Sequence, residues 1–300
     1  MAAMIMKAAP IGVIGVGVIG GAMARNLLKA GFKVTVHNRS RAKVQELVDL
    51  GAKDGGSPAG VGRASDVVLL CLPDTPDVEN VLFGKEGIAS AIRRDAVVID
   101  CSTISATATV EYSRRLKEIG VHMLDSPVSG GPKGAQDGTL SCMIGGEATI
   151  IERCMPVLQA IGKTFTHVGA SGSGQACKSC SALVLTGTLM AISEAFALAK
   201  KLGIDPYKVR DALQGGSAQS FVLANHGKRL LDGALQPGFR AGLLLKDIKL
   251  AESTGQDTRT FMPVTSLGLQ LLTGLCNGGR DSLDSAALGL VFEEMSGIRR

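Results

Sequence analysis

Three glycines near the N-terminus, Gly15, Gly17 and Gly20, stand between an apolar run and an amphipathic one. Residues 11–14 suit a buried strand. Residues 21–30 suit a helix with Met23, Leu27 and Leu28 on one face. A second strand pattern follows at residues 33–37. Strand, glycine turn and helix in this order suit the pyrophosphate of a dinucleotide. The first glycine permits the tight turn, the second lets phosphates approach the backbone, and the third lets helix pack on strand. At the helix start, Val18, Ile19 and Gly20 then offer backbone N–H groups and the positive end of the helix dipole to an anion. A glycine-rich turn alone is often only a turn; the flanking strands and helix favour the dinucleotide here.

The first half alternates strand and helix. Strands are expected at residues 12–16, 33–37, 66–72, 96–100, 122–125 and 140–144, with a last one near 165–168. Helices are expected at 42–50, 76–82, 107–119 and 149–161. Such alternation implies an α/β Rossmann-type, doubly wound sheet. The character changes at the Gly169–Gly174 turn, which divides the chain into a dinucleotide-binding domain (1–170) and an all-helical substrate and oligomerisation domain (171–300). Residues 175–202 hold no proline and a single glycine, Gly187, so one long helix joins the two. Asp205 and Pro206 read as cap and first turn of the next helix. Further helices are expected at 206–213, 221–231, 243–254, 264–275 and 285–295.

Composition narrows the class. Three hundred residues suit two domains, and with 3% aromatics and no Trp the core rests on Val, Ile, Leu, Ala and Met. A net charge of +5, spread along the chain, argues against nucleic acid and fits small anionic ligands. No apolar stretch of membrane-span length escapes interruption by charge or glycine, and residues 1–6 are too short for a secretory signal, so a cytoplasmic protein without membrane contact is expected. The seven cysteines are mostly in apolar runs and read as small buried hydrophobes. Cys177 and Cys180 form one C-x-x-C pair with no second pair or nearby His, so no metal site is read, and two helix-packing thiols are expected.

The second strand ends in His37-Asn38-Arg39-Ser40, where an NAD-binding chain usually carries Asp or Glu. A guanidinium pairs with a ribose 2′-phosphate that a carboxylate would repel, and Asn and Ser add neutral hydrogen bonds. NADP(H) is therefore the expected cofactor. Leu72-Pro73-Asp74 ends the third strand and Asp100-Cys101-Ser102-Thr103 the fourth, at the sheet edge that faces the ligand crevice. Leu72, Pro73 and Thr103 are thus further cofactor candidates.

These segments join Asp125-Ser126-Pro127-Val128-Ser129-Gly130-Gly131-Pro132-Lys133-Gly134-Ala135, Gly138-Thr139-Leu140 and Gly172-Ser173-Gly174-Gln175-Ala176-Cys177-Lys178. Together they resemble the β-hydroxyacid dehydrogenase family, which includes 3-hydroxyisobutyrate dehydrogenases and tartronate semialdehyde reductases. The resemblance reaches Lys246-Asp247-Ile248 and beyond, nearly the whole chain. It implies an NADP-dependent oxidoreductase acting on a small β-hydroxy acid or semialdehyde. Ser129, Gly130 and Gly131 would then bind a substrate carboxylate, glycine allowing close approach. Lys178 would be the catalytic acid/base, its charged form disfavoured by the helix dipole and partial burial. Lys246 and Asp247 resemble the family's second Lys-Asp pair, near nicotinamide and substrate; a helix-surface charge pair is the rival explanation.

The sequence departs from the family pattern where relatives usually carry two Asn, at the third and fourth positions after the lysine. Ser181 and Ala182 stand there; Ser181 can partly substitute at the substrate, and Ala182 cannot. Two alternatives stay open. An imine reductase on this scaffold usually lacks the lysine retained here, and a non-catalytic dinucleotide-binding scaffold would need neither Lys178 nor Ser129-Gly130-Gly131. The apolar helical domain suggests a homodimer or homotetramer.

Overall fold

The computed structural model describes residues 9–299; residues 1–6, read above as too short for a secretory signal, and Arg300 lie outside the described residues. The chain divides into two compact units, one ending at Lys178 and the other beginning at Ser179.

The first unit is built on β1 (Pro10–Ile14), β2 (Lys33–His37), β3 (Lys53–Asp54), β4 (Val67–Leu70), β5 (Val97–Asp100), β6 (His122–Asp125), β7 (Val128–Ser129), β8 (Leu140–Gly145) and β9 (Gly162–Gly169). They form one sheet in the order β3-β2-β1-β4-β5-β6-β8-β7, with β9 on β8. Neighbours from β3 to β6 pair in parallel, while β8 runs antiparallel to β6 and β7. The expected doubly wound sheet is thus present. The strand order reverses between β1 and β4, which opens a crevice at their carboxyl ends.

Both faces of the central strands are covered, so β1, β4 and β5 are buried and read as nearly unbroken apolar runs. Val67 and Leu69 belong to one core with Val13, Val36 and Ile99; Val68 and Leu70 belong to the other with Ile14 and Val98. Helices α1 (Val18–Lys29), α2 (Arg41–Val48), α3 (Pro58–Arg63), α4 (Thr75–Phe83), α5 (Ala106–Glu118), α6 (Gly131–Asp137) and α7 (Ala148–Ile161) supply the covering residues. Met23 and Leu27 of α1 and Leu158 of α7 pack in the first core, Leu82 of α4 and Leu116 of α5 in the second.

Four elements escaped the sequence pattern: β3, α3, β7 and α6. The two strands are two residues long, and the two helices carry internal glycines that lower helix propensity. Helix α3 forms because Pro58 opens it and Ser57 Oγ accepts the Gly60 N–H at 3.2 Å. The first strand ends two residues earlier than expected, because Gly15 has already turned to φ +90°.

Helix α8 (Ser173–Lys201) is the expected long helix. It is long and apolar enough to cross a membrane, yet half of that stretch is buried inside the protein, as in a core helix. The second unit adds α9 (Pro206–Gln214), α10 (Lys228–Asp232), α11 (Ala241–Thr258), α12 (Pro263–Leu275) and α13 (Leu288–Met295). Among the described residues it holds no strand, only a bridge between Arg240 and Asp284. Asp205 caps α9 as expected, accepting the Tyr207 N–H at 2.9 Å behind Pro206. A π-helical turn at Leu223–Gly227 replaces the first half of the helix expected at 221–231. Leu189, Leu244, Ile248, Leu272 and Leu288 form one apolar cluster, Phe196, Leu223 and Leu230 another.

Candidate active site

Each glycine of the first turn does a different job. Gly15 has φ +90°, and a Cβ there would lie 2.2 Å from the Cys71 carbonyl oxygen. A Cβ on Gly20 would lie 2.1 Å from the Gly15 carbonyl oxygen and 3.0 Å from Cys71 Cβ. The third glycine therefore packs the helix on the turn itself. A Cβ on Gly17 would meet nothing within 4 Å. That open side is where a phosphate needs room, and α1 begins there with no side-chain cap and no acid in its first turn. Val18 and Ile19 are the first residues of that helix. The turn fits a dinucleotide pyrophosphate.

A cleft of about 770 Å³ opens over the ends of β1, β2 and β4. Gly15, Gly17, Asn38, Arg39, Ser40, Leu72 and Pro73 all line it, as anticipated from their positions at strand ends. Lys43 and Lys85 also line it and were missed. Lys43 was legible in principle: it lies one turn beyond Ser40, the residue preceding α2. Arg39 is 82% exposed, and its Nη1 lies 3.5 Å from Asp77 Oδ1, an acid that also lines the cleft. Such an exposed pair is weak and leaves the guanidinium available to a ligand anion. His37 closes the cleft at the end of β2, and burial pushes its imidazole below the ordinary range, Asp54 opposing. Thr103 does not line the cleft; it sits between Ser102 and Ile104 in the loop after β5.

At the other end of the sheet edge the unit gathers Lys178 and the Ser-Gly-Gly segment. Lys178 Nζ donates to the Val128 carbonyl at 2.9 Å, directly beside Ser129. Gly130 and Gly131, at φ +133° and +62°, turn the chain from β7 into α6. A Cβ on Gly131 would meet open space. The segment is therefore a shaped turn beside the lysine, with open space at Gly131.

The start of α8 is fixed by Asp125, Gly174 and Gln175, to which the sequence alone assigns no role. Asp125, fully buried at the end of β6, accepts the Gly172 N–H at 2.8 Å and the Gln175 N–H at 3.0 Å. Burial raises its carboxyl above the usual range, and those N–H groups pull it back. A Cβ on Gly174 would lie 2.4 Å from the Met143 carbonyl oxygen, so only glycine lets the helix start this close to the sheet. The Gln175 side chain reaches the loop after β5.

The cysteines separate into two kinds. Burial pushes the Cys101 thiol well up and the Cys142 thiol to about 11, so neither is a thiolate near neutral pH. The C-x-x-C pair is not two packed thiols: Cys177 is half-buried and Cys180 exposed.

Ser181, Lys246 and Asp247 belong to the second unit. Lys246 Nζ lies 3.1 Å from Asp247 Oδ1 on α11, with both side chains largely buried. An ordinary helix-surface charge pair would be exposed. Ser181 is half-buried, and Ala182 is buried in the apolar cluster with Leu189, Leu244 and Ile248.

A doubly wound sheet with a glycine turn, a cleft at its switch point and a lysine beside a Ser-Gly-Gly turn defines a dinucleotide-binding oxidoreductase. Residues 10–169 match the model of the NAD binding domain of 6-phosphogluconate dehydrogenase. Residues 172–291 match that of the NAD-binding segment of NADP-dependent 3-hydroxyisobutyrate dehydrogenase. The chain is 38% identical over 286 residues to 2-hydroxy-3-oxopropionate reductase of Escherichia coli, covering 95% of this chain and 98% of that one. It is 34% identical to 2-(hydroxymethyl)glutarate dehydrogenase of Eubacterium barkeri, over 97% of each. The solved 3-hydroxyisobutyrate dehydrogenase of Mycobacterium tuberculosis with L-serine superposes at a TM-score of 0.89 with 29% identity, covering 94% of this chain and 98% of that one. The chain belongs to the β-hydroxyacid dehydrogenase family.

Proposed function

We propose that this protein is an NADP-dependent dehydrogenase, or semialdehyde reductase, of small β-hydroxy acids. The observation that carries this reading is the Lys178 ammonium held beside Ser129-Gly130-Gly131 by its bond to the Val128 carbonyl. Gly15, Gly17, Val18, Ile19 and Gly20 would hold the pyrophosphate, with Leu72, Pro73 and Thr103 along the sheet edge. Asn38, Arg39, Ser40 and Lys43 would hold a 2′-phosphate. Bound there, the dinucleotide supplies or accepts the hydride. Ser129 Oγ and the N–H groups of Gly130 and Gly131 bind the substrate carboxylate and set its orientation. Lys178 keeps a proton at Nζ, releases it to the carbonyl oxygen as that oxygen becomes an alkoxide, and takes it back from the hydroxyl in the reverse direction. Ser181 and Lys246 are assigned to the substrate, and Lys246 with Asp247 to the nicotinamide end, on family resemblance. We further assign a soluble cytoplasmic homodimer or homotetramer with no nucleic-acid or membrane partner.

Two measurements test this. Cofactor fluorescence, read without Trp background, should show NADPH binding more tightly than NADH. Arg39→Ala should weaken NADPH by about 1.5–3 kcal/mol and spare NADH. Equal affinity of the unmutated protein for both cofactors would remove the NADP assignment. A turnover screen then pairs β-hydroxy acids with NADP⁺ and semialdehydes or cyclic imines with NADPH. Turnover confined to imines, or none at all, would overturn the substrate class.

A further inference from the structure

We infer, resting on the dinucleotide reading above, that Gln175 is a positioning residue that couples filling of the dinucleotide cleft to the placement of the Lys178 ammonium. Gln175 is 1% exposed and lies about one helical turn before Lys178. Its side-chain amide joins the helix to the loop after β5. Oε1 accepts the Ile104 N–H at 3.1 Å, and Nε2 donates to the Ser102 carbonyl at 2.8 Å. The same loop is tied to the cleft, because Ser102 Oγ accepts the Leu72 N–H at 2.9 Å and Leu72 lines the cleft. A hydrogen-bonded path therefore runs from Leu72 through Ser102 to Gln175 and along one turn of α8 to Lys178, whose Nζ reaches Val128.

Two features separate this role from simple helix capping. Asp125 already caps the helix start through the backbone N–H groups of Gly172 and Gln175. The amide of Gln175 adds nothing to that cap; what it adds is the tie to the loop. Both ends of the amide are spent on backbone groups of neighbouring loop residues, in a place water does not reach. A shift of Leu72 and Ser102 cannot occur without either breaking buried hydrogen bonds or carrying the start of α8 along. The arrangement gives the lysine a way to respond to a ligand it does not touch.

The test uses the full-length protein and Gln175→Met. This substitution keeps the side-chain length and the backbone bond to Asp125 and deletes both amide bonds. The probe is 2′-phospho-ADP-ribose, which fills the cleft and carries no nicotinamide to cover the lysine. The readout is the rate at which an amine-acylating reagent modifies Lys178, followed by peptide mass spectrometry. In the unmutated protein the probe should change that rate by about fivefold or more. In Gln175→Met the change should vanish while probe affinity stays within about twofold. Ser102→Ala cuts the path at its other end and should give the same loss, which keeps the test valid should Gln175→Met fail to fold. With a substrate from the turnover screen, Gln175→Met should lower kcat roughly 10²-fold and leave KM nearly unchanged. A probe effect on Lys178 that persists in both variants, or that is absent from the unmutated protein, overturns the inference. A protein that shows the probe effect yet turns over no hydroxy acid would instead overturn the proposed function and leave Gln175 in its role.

Discussion

The two units carry buried carboxylates put to opposite uses. In the first, Asp125 accepts backbone N–H groups that place the helix bearing Lys178. In the second, Asp284 accepts Arg229 Nη1 of α10 at 2.6 Å and the N–H groups of Gly238, Phe239 and Ala286, and so ties that helix to the chain around residues 238–239 and 284–286. Around Asp125, single atoms dictate single residues: Gly145, Gly172 and Gly174 each face a neighbour that a side chain would strike. Around the second unit's main cluster, Leu189, Leu244, Ile248 and Leu272 need only fill space, and hydrophobic residues of similar volume would serve. Where a backbone must approach a ligand or another backbone closely, the choice of residue narrows to one. Where a helix only has to be covered, it stays wide.

Lys178 gives the largest effect that could break this contrast. Lys178→Ala should lower turnover by roughly 10²-fold or more and leave NADPH affinity nearly intact, measured by steady-state rates and cofactor fluorescence. Full activity in that variant would mean that the first unit's precise geometry serves binding alone. The glycine turn comes next. Gly15→Ala must hold an L-residue at φ +90° with its Cβ 2.2 Å from the Cys71 carbonyl oxygen. The strained backbone alone should cost about 1–3 kcal/mol of stability in a denaturant titration. Gly17→Ala meets open space and should melt like the unmutated protein. Its methyl group instead takes room a phosphate needs, so dinucleotide binding should weaken about tenfold, or 1.4 kcal/mol. A Gly17→Ala protein that binds normally would place the pyrophosphate elsewhere.

The same contrast explains what could be read in advance. Gly15, Gly17, Asn38, Arg39, Ser40, Leu72 and Pro73 stand out in the sequence because they fall at predicted strand ends and in a glycine turn, and the structure sets all of them along one cleft. The long helix and the cap at Asp205 were legible from propensity and pattern. Asp125 and Gln175 stood inside recognised motifs, but their work is to bond backbone groups far away in sequence, 47 to 73 residues off. No local pattern encodes such partners. Helix α6 was not anticipated, because Gly130, Gly131 and Pro132 mark turns before they mark a helix start. The roles of Ser181, Lys246 and Asp247 rest on resemblance, since helices of the second unit carry periodicity and little else.

Ala182 tests how tolerant that second unit is. It is 6% exposed within an apolar cluster. Ala182→Asn restores the residue type usual in relatives, and it puts an amide among Leu189, Leu244 and Ile248. Without a partner that amide should cost about 1–3 kcal/mol in stability, read as a fall in Tm. An unchanged Tm together with a higher kcat/KM on 3-hydroxyisobutyrate, glycerate or serine would show that the amide finds polar company. The cluster would then be as specific at this position as the first unit is at its turn.

The smallest effect compares two histidines. Burial pushes both His37 in the first unit and His226 in the second below the ordinary imidazole value of 6.5, and each has a buried Nδ1 without a hydrogen-bond partner. A depressed folded value means that the fold favours the neutral ring. The stability each contributes is therefore present above pH 6.5 and lost as pH falls through the depressed value. The two should differ once a dinucleotide is added. His37 lines the cleft, so bound phosphates favour its charged form and move its titration upward. His226 lies in the other unit, outside the cleft, and should titrate as before. The chain has four histidines, few enough for their imidazole C–H signals to be followed by NMR from pH 8 to pH 5, with and without NADPH, at roughly the spacing their ordinary titration requires. An upward move of His37 alone would place the ligand's charge at the end of β2. Equal moves of both histidines would mean that binding reorganises the second unit as well, and the contrast between a site-bearing unit and a merely space-filling one would fail.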